Sequence, residues 1–151
     1  MEPKLEFAFE AFATVDPMMD LGNVHKGGRR IIPITGGHFE GPDIRGEIVP
    51  GGADWQVVRD DDVAELEARY TLKTDDGALI YVRNMAMRVA SKEILDAMVM
   101  GKEVPPESYY FRGATWFETS VEKYAWLTRH IVVCVAERAP GAVKLRFYKL
   151  L

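Results

Sequence analysis

A chain of 151 residues has the length of one ordinary domain, so we predict a single domain over residues 1–151 with a core of its own. Apolar residues make up 48% of the chain and charged residues 28%, which is typical of globular proteins. The formal charge of −4 and the pI near 5.4 argue against a nucleic-acid partner, because nucleic-acid-binding domains carry clustered basic residues.

The cysteine content and the hydropathy of the chain exclude further classes. Cys134 is the single cysteine, so an internal disulfide and a cysteine zinc site are excluded, and its apolar neighbours predict a buried thiol. No uncharged stretch approaches the roughly 18 residues that a membrane helix needs, and no apolar segment resembling a signal peptide follows the N-terminus. We therefore expect a protein of the reducing cytoplasm with no membrane partner.

The N-terminal part of the chain predicts two strands separated by a loop. Residues 5–15 alternate between apolar and acidic or small side chains with a period of two, which is typical of a strand with one buried face. A loop through Pro17 follows, and the segment from Met18 to Val24 has no clear pattern. Residues 29–34 form a short apolar strand, in which Pro33 indicates an edge or a bulge.

Glycine is concentrated in the next part of the chain. Between Gly36 and Gly52 there are six glycines and two prolines, placed beside apolar residues. This pattern indicates backbone that turns sharply or approaches another backbone or a ligand closely. We predict two short extended pieces at 38–40 and 45–49, followed by a further strand at 54–59.

Residues 63–73 show the clearest alternation in the chain, with apolar residues on one face and mostly charged residues on the other. Asp76-Gly77 is typical of a tight hairpin turn, so residues 78–89 are predicted to return as the paired strand. Within this strand Tyr81 and Arg83 share a face, and polar and apolar groups occur on both faces. Such mixing is expected where a strand lines a cavity.

The C-terminal half contains the one predicted helix, around residues 92–100, which Ser91 can cap and Gly101 can end. Residues 124–127 are predicted as a brief turn or a single helical turn. Further strands are predicted at 108–118, 130–137 and 143–150.

These patterns predict eight to ten strands joined by short connections, which favour antiparallel pairing. A sheet of that many twisted strands usually closes on itself or splits in two. The fold class is therefore predicted as mainly β: a single antiparallel up-and-down β-barrel of about eight to ten strands with one short helix, in preference to a sandwich.

Several long segments of the chain resemble one known family. They are Arg29–Pro42, Gly51–Trp55, Ala68–Tyr70, Asp75–Asn84, Tyr109–Arg112 and Tyr124–Leu127. In this order they resemble the bacterial uncharacterised protein family 0311, also known as domain-of-unknown-function family 3237. The resemblance implies a small antiparallel β-barrel similar to the allene oxide cyclase and dirigent barrels. By that analogy it suggests isomerisation, cyclisation or binding of an apolar or phenolic small molecule, although a shared fold does not establish a reaction.

A small barrel has room for one ligand, so polar side chains on its strands are candidates for a pocket. Asp54 is a candidate general base, or else it pins the glycine turn through hydrogen bonds. Tyr81 and Arg83 stand about 7 Å apart along one strand, and Arg112 with Tyr110 repeats the arrangement. Each arginine could hold an anionic oxygen; alternatively both lie outside in water or pair with Glu40, Glu47 or Asp54, since an unpaired buried guanidinium is unfavourable.

The remaining candidates are predicted substrate contacts. Tyr70 is the one hydroxyl on the apolar face of residues 63–73, so it is either a ligand contact or a core residue with its hydroxyl bonded to backbone. His38 and Glu40 share a face and could act as an acid and base pair. Three further candidates are Trp55, Asn84 and Trp126. Without paired histidine spacing, a phosphate loop or a G-x-S-x-G elbow, we predict no metal and no cofactor.

Two functional hypotheses follow. The first is a cofactor-independent isomerase, cyclase or lyase, in which Asp54 or a tyrosine transfers a proton on a small aromatic or enolisable anionic substrate and Arg83 or Arg112 stabilises the oxyanion. The second is a non-catalytic binding or carrier barrel, and a filled barrel with a role in assembly is a third interpretation. Trp116 and Phe117 are candidates for a homodimer surface.

Overall fold

The computed structural model describes residues 1–151 and consists mainly of β-strands. One α-helix, α1 (Lys92–Val99), follows the sixth strand, and two short 3-10 helices lie at Pro106–Ser108 and Glu122–Thr128. The nine strands are β1 (Leu5–Val15), β2 (Met19–Val24), β3 (Gly27–Glu40), β4 (Arg45–Val58), β5 (Ala64–Thr74), β6 (Leu79–Val89), β7 (Tyr110–Glu118), β8 (Val132–Ala139) and β9 (Ala142–Leu150).

The strands form an antiparallel meander that closes into a barrel. From β3 to β9 each strand pairs with the next one along the chain, and β1 pairs with both β9 and β3. Eight strands therefore form the closed cylinder, and β2 pairs with β3 alone as an extra strand. The predicted fold class, an antiparallel up-and-down barrel, is confirmed.

The glycine-rich segment contains the two predicted extended pieces with a turn between them, but each piece is part of a long strand, so the prediction that they are short was wrong. β3 and β4 are each 14 residues long, and their pairing shifts register between Ile34 and His38. A Cβ added to Gly37, whose φ is +129°, would lie 1.9 Å from the carbonyl oxygen of Phe12. The glycines thus allow neighbouring strands to approach and bend without losing their pairing, which is why the alternation breaks while the strands continue.

Aromatic side chains fill one end of the barrel. Phe9 stacks on Phe147 with ring centroids 4.4 Å apart, and Phe39 and Phe117 pack edge-on against Phe9. Because Phe117 points into this core with 5% exposure, it cannot contribute to a dimer surface, whereas Trp116 is 52% exposed on the outside. The homodimer stays a prediction.

Small side chains leave the other half of the barrel hollow. Inward positions of three strands there are occupied by Ala13, Ala64, Ala68 and Ala86. Helix α1 lies at this end, and its apolar residues Leu95 and Met98 face the hollow. As predicted, Ser91 caps α1 by accepting a hydrogen bond from the Ile94 backbone N–H at 3.3 Å. None of the helices is long and apolar enough to span a membrane.

Candidate ligand-binding cavity

The hollow half of the barrel encloses a cavity of about 680 Å³. Ligand sites in proteins typically measure roughly 300–1,000 Å³ and combine apolar walls with a few polar groups. The walls here follow that description, since most lining residues are apolar and the uncharged polar ones are Gln56, Tyr70 and Asn84. A small organic molecule could therefore be enclosed inside this half of the barrel.

The alternation of β4 turns Asp54 and Gln56 to the inner face. Gln56 Nε2 donates a hydrogen bond to Asp54 Oδ2 at 2.9 Å, while Asp54 Oδ1 is buried without a hydrogen-bond partner. Burial raises the pKa of Asp54 to about 6, although the Gln56 hydrogen bond and the nearby charge of Arg88 act in the opposite direction. This carboxyl is therefore oriented, and its pKa is close to neutral pH.

Arg88 enters the same cavity from β6. Its side chain is buried and its Nε has no hydrogen-bond partner. Burial, followed by the charges of Arg138 and Arg30, lowers the pKa of Arg88 to about 10, so the guanidinium stays charged at neutral pH. A buried cation without a partner is unfavourable, which makes Arg88 a candidate for binding an anionic group.

Tyr70 and Asn84 complete the polar part of the wall. Burial raises the pKa of Tyr70, and the charge of Asp54 adds to this shift, so the phenol remains protonated. Asn84 Oδ1 accepts a hydrogen bond from Thr115 Oγ1 at 2.9 Å. The neighbouring Cys134 is buried as predicted, and burial raises the pKa of its thiol to about 12, which leaves it protonated and unreactive.

Tyr81 and Arg83 lie on the outer surface of the barrel. Arg83 Nε contacts Glu67 Oε1 at 3.2 Å, and the Tyr81 hydroxyl accepts a hydrogen bond from Arg69 at 3.2 Å. This placement corrects the expectation that these side chains share a site with Asp54. The inward face of β6 is the opposite one, which carries Val82 and Asn84.

Arg112 and Tyr110 also point outward. The Arg112 guanidinium carbon lies 5.5 Å from the centre of the Tyr110 ring, and Nη1 donates to the Phe111 carbonyl at 2.9 Å. The alternative that both predicted arginines lie outside describes the structure, and neither one lines the cavity, although Arg83 pairs with Glu67 and not with Glu40, Glu47 or Asp54.

The other predicted substrate contacts lie outside the cavity as well. His38 stacks on Phe12 at 5.7 Å and, with Glu40, lines a separate outer depression of about 280 Å³. Trp55 is 38% exposed on the outside of β4, and Trp126 packs beneath Lys149 Nζ at 5.4 Å. No group of three or more His, Cys, Asp or Glu side chains is placed to hold a metal ion.

The structure therefore brings together Asp54, Tyr70 and Asn84 from the predicted residues, and adds Gln56 and Arg88. A pattern in the sequence could have identified Arg88. On β6 it shares its parity with Val82 and Asn84, the face that the apolar residues mark as buried. The next two residues on that face after Asn84 are Ala86 and Arg88.

The fold and the cavity define a class of protein: a small closed β-barrel with an internal pocket of ligand size. Comparison with known proteins then identifies the family. A family model described as "Protein of unknown function (DUF3237)" matches residues 3–150, so the chain belongs to this family, as the resemblance in its sequence predicted. A UPF0311 protein of Clostridium acetobutylicum is 43% identical over 150 residues, which cover 99% of this chain and 95% of that protein.

Solved structures show the same barrel. The crystal structure of a conserved protein of unknown function from Rhodopseudomonas palustris is similar with a TM-score of 0.94 and 36% identity, covering 100% of this chain and 99% of that one. The crystal structure of an enzyme from Penicillium herquei is similar with a TM-score of 0.75 over 100% of this chain and 96% of that one. At 24% identity, this second likeness concerns the fold alone.

Proposed function

We propose that this protein binds a small aromatic or enolisable molecule inside its barrel and transfers a proton on it, as a cofactor-independent isomerase, cyclase or lyase. The observation that supports this most directly is Asp54, a buried carboxyl that is held through one oxygen and unpartnered at the other. An unsatisfied buried oxygen is unfavourable in a protein that only has to fold. A bound substrate would provide its partner.

The proton transfer follows from the arrangement of the wall. Asp54 Oδ1 removes a proton from a carbon next to a carbonyl, and the electron pair of the broken C–H bond moves to the carbonyl oxygen. The protonated Tyr70 phenol stabilises that oxygen as an enolate, and the positive charge of Arg88 in the same cavity adds to this stabilisation. Asp54 then returns its proton to a different atom of the substrate, which completes an isomerisation without a cofactor. A pKa of about 6 suits both steps, because a general acid–base group works best near the operating pH.

A non-catalytic binding or carrier barrel is the second candidate. It is favoured by the apolar walls and by the unpartnered Arg88, which could hold an anionic ligand without any chemistry. The two functions differ in what Asp54 does. In a carrier its replacement leaves the ligand chemically unchanged, whereas in the enzyme it removes the proton transfer.

Exchange of an acidic proton with solvent distinguishes the two functions. Phenylpyruvate, an aromatic keto acid with an enolisable CH₂ group, is incubated in D₂O with the wild-type protein, and the loss of its CH₂ signal is followed by NMR. We expect exchange above the buffer rate with the wild type and a loss of at least about a hundredfold in Asp54→Asn, the size of a typical general-base contribution.

Glu47→Gln is the matched control, because Glu47 is an exposed carboxylate on the same strand. Its exchange rate should equal that of the wild type. An Asp54→Asn protein that exchanges as fast as the wild type would exclude Asp54 as the base. Binding of phenylpyruvate without any exchange above buffer would overturn the enzyme and support the carrier.

A further inference from the structure

Nine of the eleven arginines of this protein fall into two groups, and the other two, Arg29 and Arg112, neither pair with an acid nor line the cavity. On the outer surface six of them contact a carboxylate within 4.0 Å: Arg45, Arg59, Arg69, Arg83, Arg129 and Arg146. The three that line the cavity form no such pair: Arg30, Arg88 and Arg138. The positive charges of Arg30 and Arg138 act on the buried Arg88, so a negative charge placed against its guanidinium is favourable.

Arg88 offers the best-defined contact for that charge. Its side chain is 9% exposed, and its Nε has no hydrogen-bond partner although it is buried. Nε and one terminal nitrogen together form one edge of a guanidinium. The two N–H groups of that edge can donate parallel hydrogen bonds to the two oxygens of a carboxylate.

The charges around the cavity indicate how much negative charge a ligand carries. Four basic and four acidic side chains line it: Arg30, Arg88, Lys92 and Arg138 against Asp16, Asp54, Asp62 and Asp96. With all of them ionised these side chains sum to zero, so a phosphate dianion would meet acids as well as arginines. A single negative charge placed on the Arg88 edge gains the arginines' attraction with less repulsion from the acids.

The register of the sheet orients such a ligand. Asp54 pairs with Ala68, and Ala68 pairs with Asn84, so these residues form one row across β4, β5 and β6. Arg88 lies four residues farther along β6, toward the end that leads into α1. A carboxylate on Arg88 therefore places the rest of the ligand deeper, beside Asp54 and Tyr70.

We propose that the ligand is a monocarboxylic acid with an apolar body, whose carboxylate is bound by the Nε edge of Arg88 with Arg30 and Arg138 alongside. This inference rests on the proposed function, since it names the class of molecule that enters the same cavity. A bound carboxylate would also provide the hydrogen-bond partner that the Arg88 guanidinium lacks within the protein.

Cinnamate and cinnamamide form a matched pair of probes, because they share one planar body and differ only in a carboxylate or an amide. Binding of each to the purified protein is measured by isothermal titration calorimetry. We expect the wild type to bind cinnamate at least about tenfold more tightly than cinnamamide, the effect of a charge-assisted hydrogen bond. In Arg88→Gln that preference should disappear, while cinnamamide binds as before.

Two further variants control the experiment. Arg88→Lys keeps the charge without the paired donors, so it should retain only part of the preference. Arg146→Gln removes an arginine from the outer surface and should bind both probes like the wild type. Unchanged cinnamamide binding by Arg88→Gln shows that the variant is folded.

The outcomes separate this inference from the proposed function. Equal binding of the two probes by the wild type, or full cinnamate preference in Arg88→Gln, would overturn the carboxylate site and leave ligand binding in the cavity intact. If the wild type bound neither probe, the cavity would not be a site for small aromatic molecules. That result would contradict both the proposed function and the carboxylate site on Arg88.

Discussion

Gln56 donates an amide N–H to Oδ2 of Asp54 at 2.9 Å, whereas Oδ1 of the same carboxyl is buried without a hydrogen-bond partner. The two residues are separated by one position on β4, so the pleat of the strand places both side chains on the inner face. Gln56 thus orients the carboxyl of Asp54, and Oδ1 is the oxygen left without a partner.

Replacing Asp54 by asparagine should stabilise the protein above about pH 6 and change its stability little near pH 4. Because burial raises the pKa of Asp54 from 3.8 to about 6, the folded protein holds this proton more tightly than the unfolded chain does. The contribution of this proton to the free energy of unfolding is fully present below pH 3.8. It is lost as the pH rises through about 6, and the loss is on the order of 3 kcal/mol. Asparagine does not ionise and keeps its stability over this range.

Urea unfolding of both proteins between about pH 4 and 8 measures this difference. The difference in unfolding free energy should grow with pH for Asp54→Asn and stay flat for the exposed control Glu47→Gln. Parallel curves for the wild type and Asp54→Asn would show that Asp54 ionises normally in the folded state.

Replacing Gln56 by leucine should raise the pKa of Asp54 further. The Gln56 hydrogen bond is among the interactions that lower this pKa, and its loss leaves burial with less opposition. The carboxyl carbon of Asp54, followed by ¹³C NMR through a pH titration, reports the change directly. A titration midpoint that does not move would mean that Gln56 has no influence on the proton of Asp54.

Filling the cavity should abolish ligand binding without unfolding the barrel. Ala68 lines the hollow half, so Ala68→Leu places additional carbon atoms in the space that a ligand would occupy. We expect cinnamate binding to weaken at least about tenfold, while the melting temperature stays within a few degrees of the wild type. Ala114→Leu, at an outward position opposite Met85, is the control and should bind normally. Unimpaired binding by Ala68→Leu would place the ligand elsewhere.

Cinnamate affinity should fall as the pH rises through the pKa of Asp54. The groups that act on this carboxyl are Gln56 on its own strand and Arg88 from β6, and Tyr70 of β5 lies beside it. Once Asp54 ionises above about pH 6, its charge opposes a second carboxylate near Arg88, so affinity should drop about tenfold between pH 5.5 and 8. Calorimetry at several pH values checks this, and Asp54→Asn should remove the dependence. A wild type whose affinity is constant over this range would contradict the proximity of the two charges.

Arg83→Gln and Arg112→Gln should leave cinnamate binding within about twofold of the wild type. Both side chains lie on the outside of the barrel, where Arg83 pairs with Glu67 and Arg112 lies over Tyr110. Exposed contacts of this kind contribute on the order of 1 kcal/mol or less to stability. A tenfold loss of affinity in either variant would restore the roles that the sequence suggested for them.

The fold was predictable because its determinants are local. The alternation in residues 63–73, the Asp76-Gly77 turn and the Ser91 cap each act over a few neighbouring residues, and the structure contains all three. The glycine-rich stretch was less predictable. Its strands remain continuous across register shifts, and a pattern of period two cannot represent a bulge.

The site was predictable only in part. Asp54, Tyr70 and Asn84 were found because each is a polar residue within a recognisable strand. Tyr81, Arg83 and Arg112 were placed in the site although they face outward, because an alternating strand with polar groups on both sides does not reveal which side is buried.

The sequence by itself determined the antiparallel strands and the one capped helix, since periodicity, turns and caps are properties of neighbouring residues, and it favoured a closed barrel over a sandwich. Only the tertiary structure decided which face of each strand points inward, and that Arg88 of β6 and Asp54 of β4 meet in one cavity. Those two residues are 34 positions apart along the chain, and it is the pairing of both strands with β5 that brings their side chains together.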